Sequence, residues 1–247
     1  MVLDTCEIKI FSHSLEFFTM KSFLVCLTFV FSLIPTLVQA DPFYLRGTFN
    51  DYNTSLQMTD LGGGIYEATA TGLTPGTKYR FLAANADYSI QSGAPFQDVA
   101  ARANSAGQIT ARFYSTAPTD GWRPNLLRLG LTNLDYSYEL MGNFNGYSSP
   151  ISLVDNGGVL EGTLSLAAST NYEFVFRQIG DWNVTIKENF GDSGPNIAFT
   201  SGAAGDYLVQ LDLAKGRYNF SAVPEPSGLF ALSTIALAGL GFRKRRS

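Results

Sequence analysis

Apolar and polar residues alternate along much of the chain between residues 41 and 226. Residues 64–70 read Gly-Ile-Tyr-Glu-Ala-Thr-Ala, and residues 206–213 show the same alternation. A period of two is that of a β-strand with one buried face. Turn sequences such as Leu-Thr-Pro-Gly at 73–76 separate these runs, and no long run has the 3.6-residue period of a helix. The pattern predicts an all-β, antiparallel fold.

Two uncharged runs, one near each end, interrupt this alternation. Residues 23–38 carry no charge, follow Lys21 and end shortly before Ala40. A basic start, an apolar run and a final small residue are the parts of a secretion signal. We therefore predict a signal helix within residues 1–40 and cleavage between Ala40 and Asp41. Residues 1–19 contain three acidic residues, which favours a start-site extension; the alternative is a long leading region that is removed with the signal.

The second uncharged run, residues 228–242, lies between a Pro-Glu-Pro tripeptide and a basic cluster. It is slightly shorter than the roughly 17–25 residues of a membrane span, but flanking Arg and Lys side chains extend the reach of such a helix. We predict a transmembrane helix over 228–242 with the basic cluster on the cytoplasmic side. The tripeptide and the cluster are Pro224, Glu225, Pro226, Arg243, Lys244, Arg245 and Arg246.

Removing both ends also removes the residue types on which much enzyme chemistry depends. Both cysteines, Cys6 and Cys26, and the single histidine, His13, precede Ala40. The exported part then has no disulfide, no triad that uses His or Cys, and no zinc or haem site built from them. Carboxylates remain, but their spacing selects no pair of the kind that a glycosidase uses. We predict a protein that is not an enzyme and has no cofactor.

The exported part is acidic. Residues 41–226 hold 11 basic and 18 acidic side chains, a net charge near −7. A negative surface repels the phosphates of nucleic acids and the headgroups of anionic lipids. Nucleic acid is therefore excluded as a partner.

An internal repeat organises this part. Residues 45–52, Leu-Arg-Gly-Thr-Phe-Asn-Asp-Tyr, match residues 140–147, Leu-Met-Gly-Asn-Phe-Asn-Gly-Tyr, at five of eight positions with an offset of 95. Further matches follow at offsets of 93 to 95, as small loop insertions would produce. A period of this length suits tandem sandwich domains better than a solenoid. We predict two tandem antiparallel, immunoglobulin-like β-sandwich modules at 42–118 and 126–222, joined by a linker at 119–125.

The C-terminal segment 223–247 resembles the PEP-CTERM sorting signal of Gram-negative bacteria, because its tripeptide, apolar run and basic cluster occur in that order. The resemblance implies a signal peptidase and an exosortase as partners. It also implies an intermediate in the inner membrane and then release to the cell surface or extracellular matrix. The alternative is an ordinary C-terminal anchor with a proline-rich stalk.

The repeated segment resembles starch-binding-like β-sandwich domains, such as the outer-membrane starch-binding proteins of starch-utilisation systems. The residues that carry this resemblance are the Gly-x-Phe-Asn-x-Tyr elements at 47–52 and 142–147, and Tyr-Glu-Phe-Val-Phe at 172–176 with Asp181 and Trp182 after it. The resemblance covers the second module well and the first in part. It implies a carbohydrate-binding function.

Sugar binding requires flat aromatic faces next to groups that bond hydroxyls. The candidates are Tyr52, Tyr88, Tyr147 and Trp182. Each could instead belong to the core, and a repeated position could reflect a repeated site or only a repeated fold. The sequence thus favours an exported protein that binds polysaccharide; the alternative is a structural matrix or adhesion protein without a defined glycan ligand.

Overall fold

The alternating segments form strands. The computed structural model describes residues 41–93 and 97–224, and these contain sixteen β-strands and two 3-10 helices of three residues each. The strands pair antiparallel in four sheets, so the predicted all-β class is confirmed. The predicted signal helix in 1–40 and the transmembrane helix at 228–242 lie outside the described residues.

The first seven strands make two sheets. They are β1 (Tyr44–Gly47), β2 (Thr59–Gly62), β3 (Ile65–Ala70), β4 (Lys78–Ala84), β5 (Val99–Arg102), β6 (Ile109–Tyr114) and β7 (Arg128–Thr132). One sheet has the order β1-β4-β5 and the other β2-β3-β6-β7. In β3 every second side chain is buried, which is the period that the sequence predicted.

The other nine strands make two more sheets. They are β8 (Tyr138–Gly142), β9 (Ile151–Ser152), β10 (Val154–Asn156), β11 (Val159–Leu166), β12 (Asn171–Gln178), β13 (Asp181–Ile186), β14 (Ile197–Thr200), β15 (Gly205–Asp212) and β16 (Arg217–Ala222). One sheet has the order β10-β11-β15-β16. In the other, β12 pairs with β8, β13 and β14, and β9 pairs with β8.

The strand pairings of the two halves correspond. The pairings β1-β4-β5 match β8-β12-β14, and β2-β3-β6-β7 match β10-β11-β15-β16. Register agrees as well, since Gly47 pairs with Phe81 as Gly142 pairs with Phe174. We call β1–β7 the first repeat and β8–β16 the second. Strand β7 pairs with β6, so residues 128–132 lie in a sheet of the first repeat although the sequence placed them in the module at 126–222.

Aromatic side chains join the sheets within each repeat. The ring of Phe43, next to β1, lies 4.7 Å from that of Tyr66 on β3 and 4.8 Å from that of Phe113 on β6. In the second repeat, the rings of Phe174 on β12 and Phe220 on β16 are stacked at 4.8 Å. Contacts of this kind bury large areas and join the two sheets of each repeat.

Ion pairs join the two repeats. The buried carboxylate of Asp192 accepts hydrogen bonds from Lys78 and Arg80 of β4 at 2.7 and 3.0 Å. Arg102 of β5 donates to Asp181 of β13 through Nε, at 2.9 Å, and through Nη2. The repeats are therefore held in one arrangement and do not hang from a free linker.

The segment between β6 and β7 lies along the outer edge of β16. Arg123 and Tyr218 exchange both backbone hydrogen bonds, at 2.9 and 2.8 Å. Asp120 accepts from Arg128 of β7 and from Arg217 of β16, and the guanidinium of Arg217 lies 4.3 Å from the ring centroid of Trp122. The predicted linker at 119–125 thus covers part of an edge strand, which blocks pairing with other chains.

No helix in residues 41–93 and 97–224 has the length and apolar character that a membrane span needs.

Candidate functional site

The repeated Gly-x-Phe-Asn-x-Tyr elements form the same tight turn after β1 and after β8. In each turn the tyrosine amide donates to the carbonyl of the first glycine, Tyr52 to Gly47 at 3.0 Å and Tyr147 to Gly142 at 2.9 Å. Glycine is needed there because the phenylalanine ring of the turn packs on it. A Cβ at Gly142 would lie 2.4 Å from that ring. The repeated sequence therefore places one tyrosine at the same end of each repeat.

Tyr147 and Trp182 form an open aromatic pair in the second repeat. Their ring centroids lie 6.3 Å apart at an angle of 55°, and Trp182 is 49% exposed. The Tyr147 hydroxyl donates to the backbone carbonyl of Glu173 at 3.4 Å and accepts from the Asn196 side chain at 3.0 Å. Two tilted rings with an amide beside them offer an apolar face and a hydrogen-bonding group together.

An arginine lies against the Trp182 ring. The guanidinium carbon of Arg177 is 4.4 Å from the ring centroid, within the range of a cation–π contact. Arg177 Nε donates to Glu139 Oε1 at 2.6 Å, and the Gly180 amide donates to the same oxygen at 3.0 Å. Both charged side chains are nearly buried. This contact orients the ring from one side.

Burial raises the pKa of the Tyr147 hydroxyl, and the nearby charge of Glu173 adds to that effect, although the hydrogen bond from Asn196 opposes it. The hydroxyl therefore stays protonated at neutral pH.

The first repeat carries a related but more closed arrangement. Tyr88 is 39% exposed, and the guanidinium carbon of Arg46 lies 4.1 Å from its ring centroid. The Tyr88 hydroxyl donates to the backbone carbonyl of Tyr52 at 3.1 Å, and the Tyr52 hydroxyl donates to Asp98. Burial, and then the bond to Asp98, raises the pKa of Tyr52. Here both hydroxyls are occupied within the protein.

The four sequence candidates thus form two groups, Tyr147 with Trp182 and Tyr52 with Tyr88. Sequence reasoning missed the side chains that hold them, namely Arg177 with Glu139, and Arg46. The alternation in β12 shows only that Arg177 points away from the core. No sequence signal shows which ring it meets, because that depends on the hairpin that folds back over the strand.

The other candidates concern chain processing. Asp41 is exposed at the start of the described residues, and Ala40 lies outside them. Pro224 is the last residue described, so Glu225, Pro226 and the basic residues 243–246 also lie outside. The backbone amide of Val223 donates to the carbonyl of Asp206 at 2.8 Å, which ties the start of this segment to β15.

A separate open cleft of about 480 Å³ lies where the repeats meet. Leu131, Leu160 and Leu213 contribute apolar surface to it, and Asp135 and Asp155 contribute charge. None of the four aromatic candidates lines it. The residues described by the structure contain no group of three or more His, Cys, Asp or Glu side chains placed to hold a metal ion.

Comparison with known families defines the C-terminal end. Residues 222–246 match the family profile of the PEP-CTERM protein-sorting motif, which confirms the tail that the sequence predicted. A chain with this motif is exported, processed by an exosortase and sorted to the cell surface. The match begins at Ala222, the last residue of β16.

Comparison with solved structures finds a similarity between this chain and SusF from Bacteroides thetaiotaomicron. The similarity covers 75% of this chain and 49% of SusF, at 18% identity and a TM-score of 0.30. The chain therefore spans about half the length of that protein. A search of curated proteins found no relative.

Proposed function

We propose that this protein binds polysaccharide at the cell surface or in the exopolysaccharide matrix, through the Tyr147–Trp182 pair of its second repeat. Each repeat, with two sheets joined by an aromatic core, is a β-sandwich module of the immunoglobulin-like kind. The protein binds its ligand and does not transform it. Before processing it passes through an inner-membrane intermediate held by residues 228–242, in a Gram-negative bacterium.

The observation that carries this proposal is the exposed Trp182 ring. Trp182 keeps about half of its surface open near the start of β13, the edge strand of its sheet. Large aromatic side chains normally bury most of their area. Arg177 covers one side of the ring and Tyr147 extends the apolar surface. A sugar ring stacks on such a surface. The amino group of Asn196 donates to Tyr147 and Glu173, so its side-chain oxygen is the group that would accept from a sugar hydroxyl.

The ionisation of the carboxyl groups supports binding rather than catalysis. A glycosidase needs one carboxylic acid whose pKa is raised. Among the described residues, every carboxyl group with a shifted pKa has it lowered: Asp87, Asp120, Asp135, Glu161, Asp181 and Asp192. Hydrogen bonds and basic neighbours hold these groups ionised.

Trp182→Ala should weaken polysaccharide binding about 30-fold, since removing a central aromatic anchor costs about 2 kcal/mol. Tyr147→Ala should weaken it by a smaller factor, because this ring is less exposed. Affinity electrophoresis of the full-length protein in gels containing amylopectin, laminarin or alginate measures the effect. We expect retardation by a neutral glucan, and none by anionic alginate, because the exported part is acidic.

Leu61→Ala is the matched control, since Leu61 is also exposed but lies on the edge strand β2. It should bind as the native protein does. Unchanged binding in both Trp182→Ala and Tyr147→Ala, with native circular dichroism, would remove the assignment of the site.

A structural matrix or adhesion role is the second candidate. The ion pairs of Asp192 and Asp181 with β4 and β5 connect the two repeats directly, as a load-bearing component requires. Failure to bind any of these glycans would favour this role.

Deleting residues 243–246 should leave an unprocessed precursor, because the basic cluster holds the tail on the cytoplasmic side. Immunoblots of membrane and culture fractions measure the ratio of precursor to mature chain. Deletion of Ser247 alone removes no charge and serves as the control. Normal maturation without the cluster would show that the cluster is not needed for sorting.

A further inference from the structure

Exposed apolar side chains concentrate on two corresponding hairpins. One follows β4 and closes at the bridge between Ala84 and Gln91; the other joins β12 to β13. Among the described residues, seven large hydrophobic side chains are exposed, and four of them lie on these hairpins or at their ends: Tyr88, Ile90, Ile179 and Trp182. Apolar groups gathered in this way mark contact surfaces more often than scattered ones do.

Each hairpin presents its aromatic ring on an arginine, but the arginines come from different strands. Arg46 belongs to β1 and meets Tyr88, whereas Arg177 belongs to β12 and meets Trp182. The register makes Met141 the counterpart of Arg46, and Ala84 the counterpart of Arg177. Neither counterpart is charged.

The different strand positions of the two arginines help to decide whether the repeats share a binding site or only a fold. If the stacked arginine only followed from the shared topology, it would stand at the same strand position in both repeats. Instead, arginines at two non-equivalent strand positions stack on the aromatic ring of the corresponding hairpin, Arg46 on Tyr88 and Arg177 on Trp182. The property common to both repeats is therefore the presented aromatic surface, and not the residue pattern beneath it.

We infer that the first repeat carries a second glycan-contacting surface, formed by Tyr88 with Ile90 beside it and held by Arg46, so that one chain engages two polysaccharide segments. This inference rests on the proposed function. The surface is weaker than that of the second repeat, because its ring is smaller and less open: Tyr88 is 39% exposed, whereas Trp182 is 49% exposed. Arg46 covers one face of the Tyr88 ring, so only the other face can contact the ligand.

A chain with two glycan-contacting surfaces should bind a polymer more tightly than it binds a short oligosaccharide. Once one surface is bound, the second meets the same or a neighbouring polymer at a high effective concentration, and overall binding can rise 10²–10⁴-fold by the general arithmetic of linked sites, as an order-of-magnitude range. The protein would then cross-link a glycan matrix.

Isothermal titration of the full-length protein with maltohexaose and with laminarihexaose tests this inference. We expect two sites per chain in the native protein, one in Tyr88→Ala, one in Trp182→Ala, and none in the double variant. Leu61→Ala should keep two. One site in the native protein, unchanged in Tyr88→Ala, would overturn the inference while leaving the proposed function intact.

Binding to the polymer gives a second readout. Tyr88→Ala should weaken binding to amylopectin or laminarin at least about tenfold, while the hexasaccharide affinity of the Trp182 surface stays the same. Equal loss for hexasaccharide and polymer would contradict two-site engagement. If neither glucan nor its hexasaccharide binds, the proposed function fails and the inference fails with it.

Discussion

Asp192→Ala is expected to lower the free energy of unfolding by about 3 kcal/mol, because it removes a buried carboxylate that two cationic side chains bind. The side chain of Asp192 is only 4% exposed and carries the ion pairs to Lys78 and Arg80 of the first repeat. Its other oxygen accepts from the Thr185 hydroxyl at 3.1 Å. Lys78 and Arg80 regain some hydration when the carboxylate is lost, since both are partly exposed, which keeps the loss near the lower end of the 3–5 kcal/mol range for broken buried pairs.

Urea unfolding followed by circular dichroism measures this loss, and Asp206→Ala is the matched control. Asp206 is an exposed carboxylate on β15, and its removal should change the unfolding free energy by less than about 0.5 kcal/mol. Equal effects of the two substitutions would show that the contact between the repeats does not stabilise the fold.

The same carboxylate should make stability depend on acid. Burial acts to raise the pKa of Asp192, but hydrogen bonds and charge from Lys78 and Arg80 outweigh it, and the pKa is lowered overall. Its contribution is therefore complete above the ordinary aspartate pKa of about 4 and is lost as the pH falls through the lower, folded value. Asp192→Asn should lose stability at neutral pH and show a shallower decline below pH 4 than the native protein. An identical decline would rule out Asp192 as one of the titrating groups.

Gly130→Ala is expected to destabilise the fold by about 3 kcal/mol, the upper part of the usual range for overpacking. Gly130 lies in the middle of β7, where the turn between β15 and β16 crosses closely. A Cβ at this position would lie 2.0 Å from the carbonyl oxygen of Ala214 and 2.5 Å from its carbon. Both are backbone atoms, so no side chain can turn aside, and the turn of the second repeat has to move away from β7.

Gly202→Ala is the control for this substitution. Its Cβ would meet nothing closer than the Tyr207 hydroxyl at 3.7 Å. It should change the unfolding free energy by less than about 1 kcal/mol. A native urea midpoint in Gly130→Ala would show that β7 and the turn are not packed as closely as described.

The strands and the internal repeat could be predicted from the sequence, because both depend on the order of residues within short segments. The alternation in 64–70 becomes β3, whose buried side chains follow the same period. The matching octets at 45–52 and 140–147 become the same turn after β1 and after β8, since glycine and phenylalanine pack within six residues of each other.

The placement of β7 was not accessible in the same way. Residues 128–132 follow a segment with two prolines, which suggested a boundary between modules before them. The strand nevertheless pairs with β6, and its Leu129 and Leu131 side chains are buried. The long connection at 115–127 runs along β16 of the other repeat before it returns, and composition does not encode that path.

Residue types and short-range order alone indicated that this protein is exported and carries a PEP-CTERM tail, that residues 41–226 lack Cys and His, and that they contain a β-rich repeat. These properties depend on residue type and on short-range order. Which aromatic residues face solvent, and which side chains hold them, became visible in the folded structure alone. Arg46 and Arg177 lie 131 residues apart and on non-equivalent strands, yet each meets the ring of a corresponding hairpin. Such contacts depend on how a hairpin folds over its sheet, and the spacing of residues along the chain does not predict that fold.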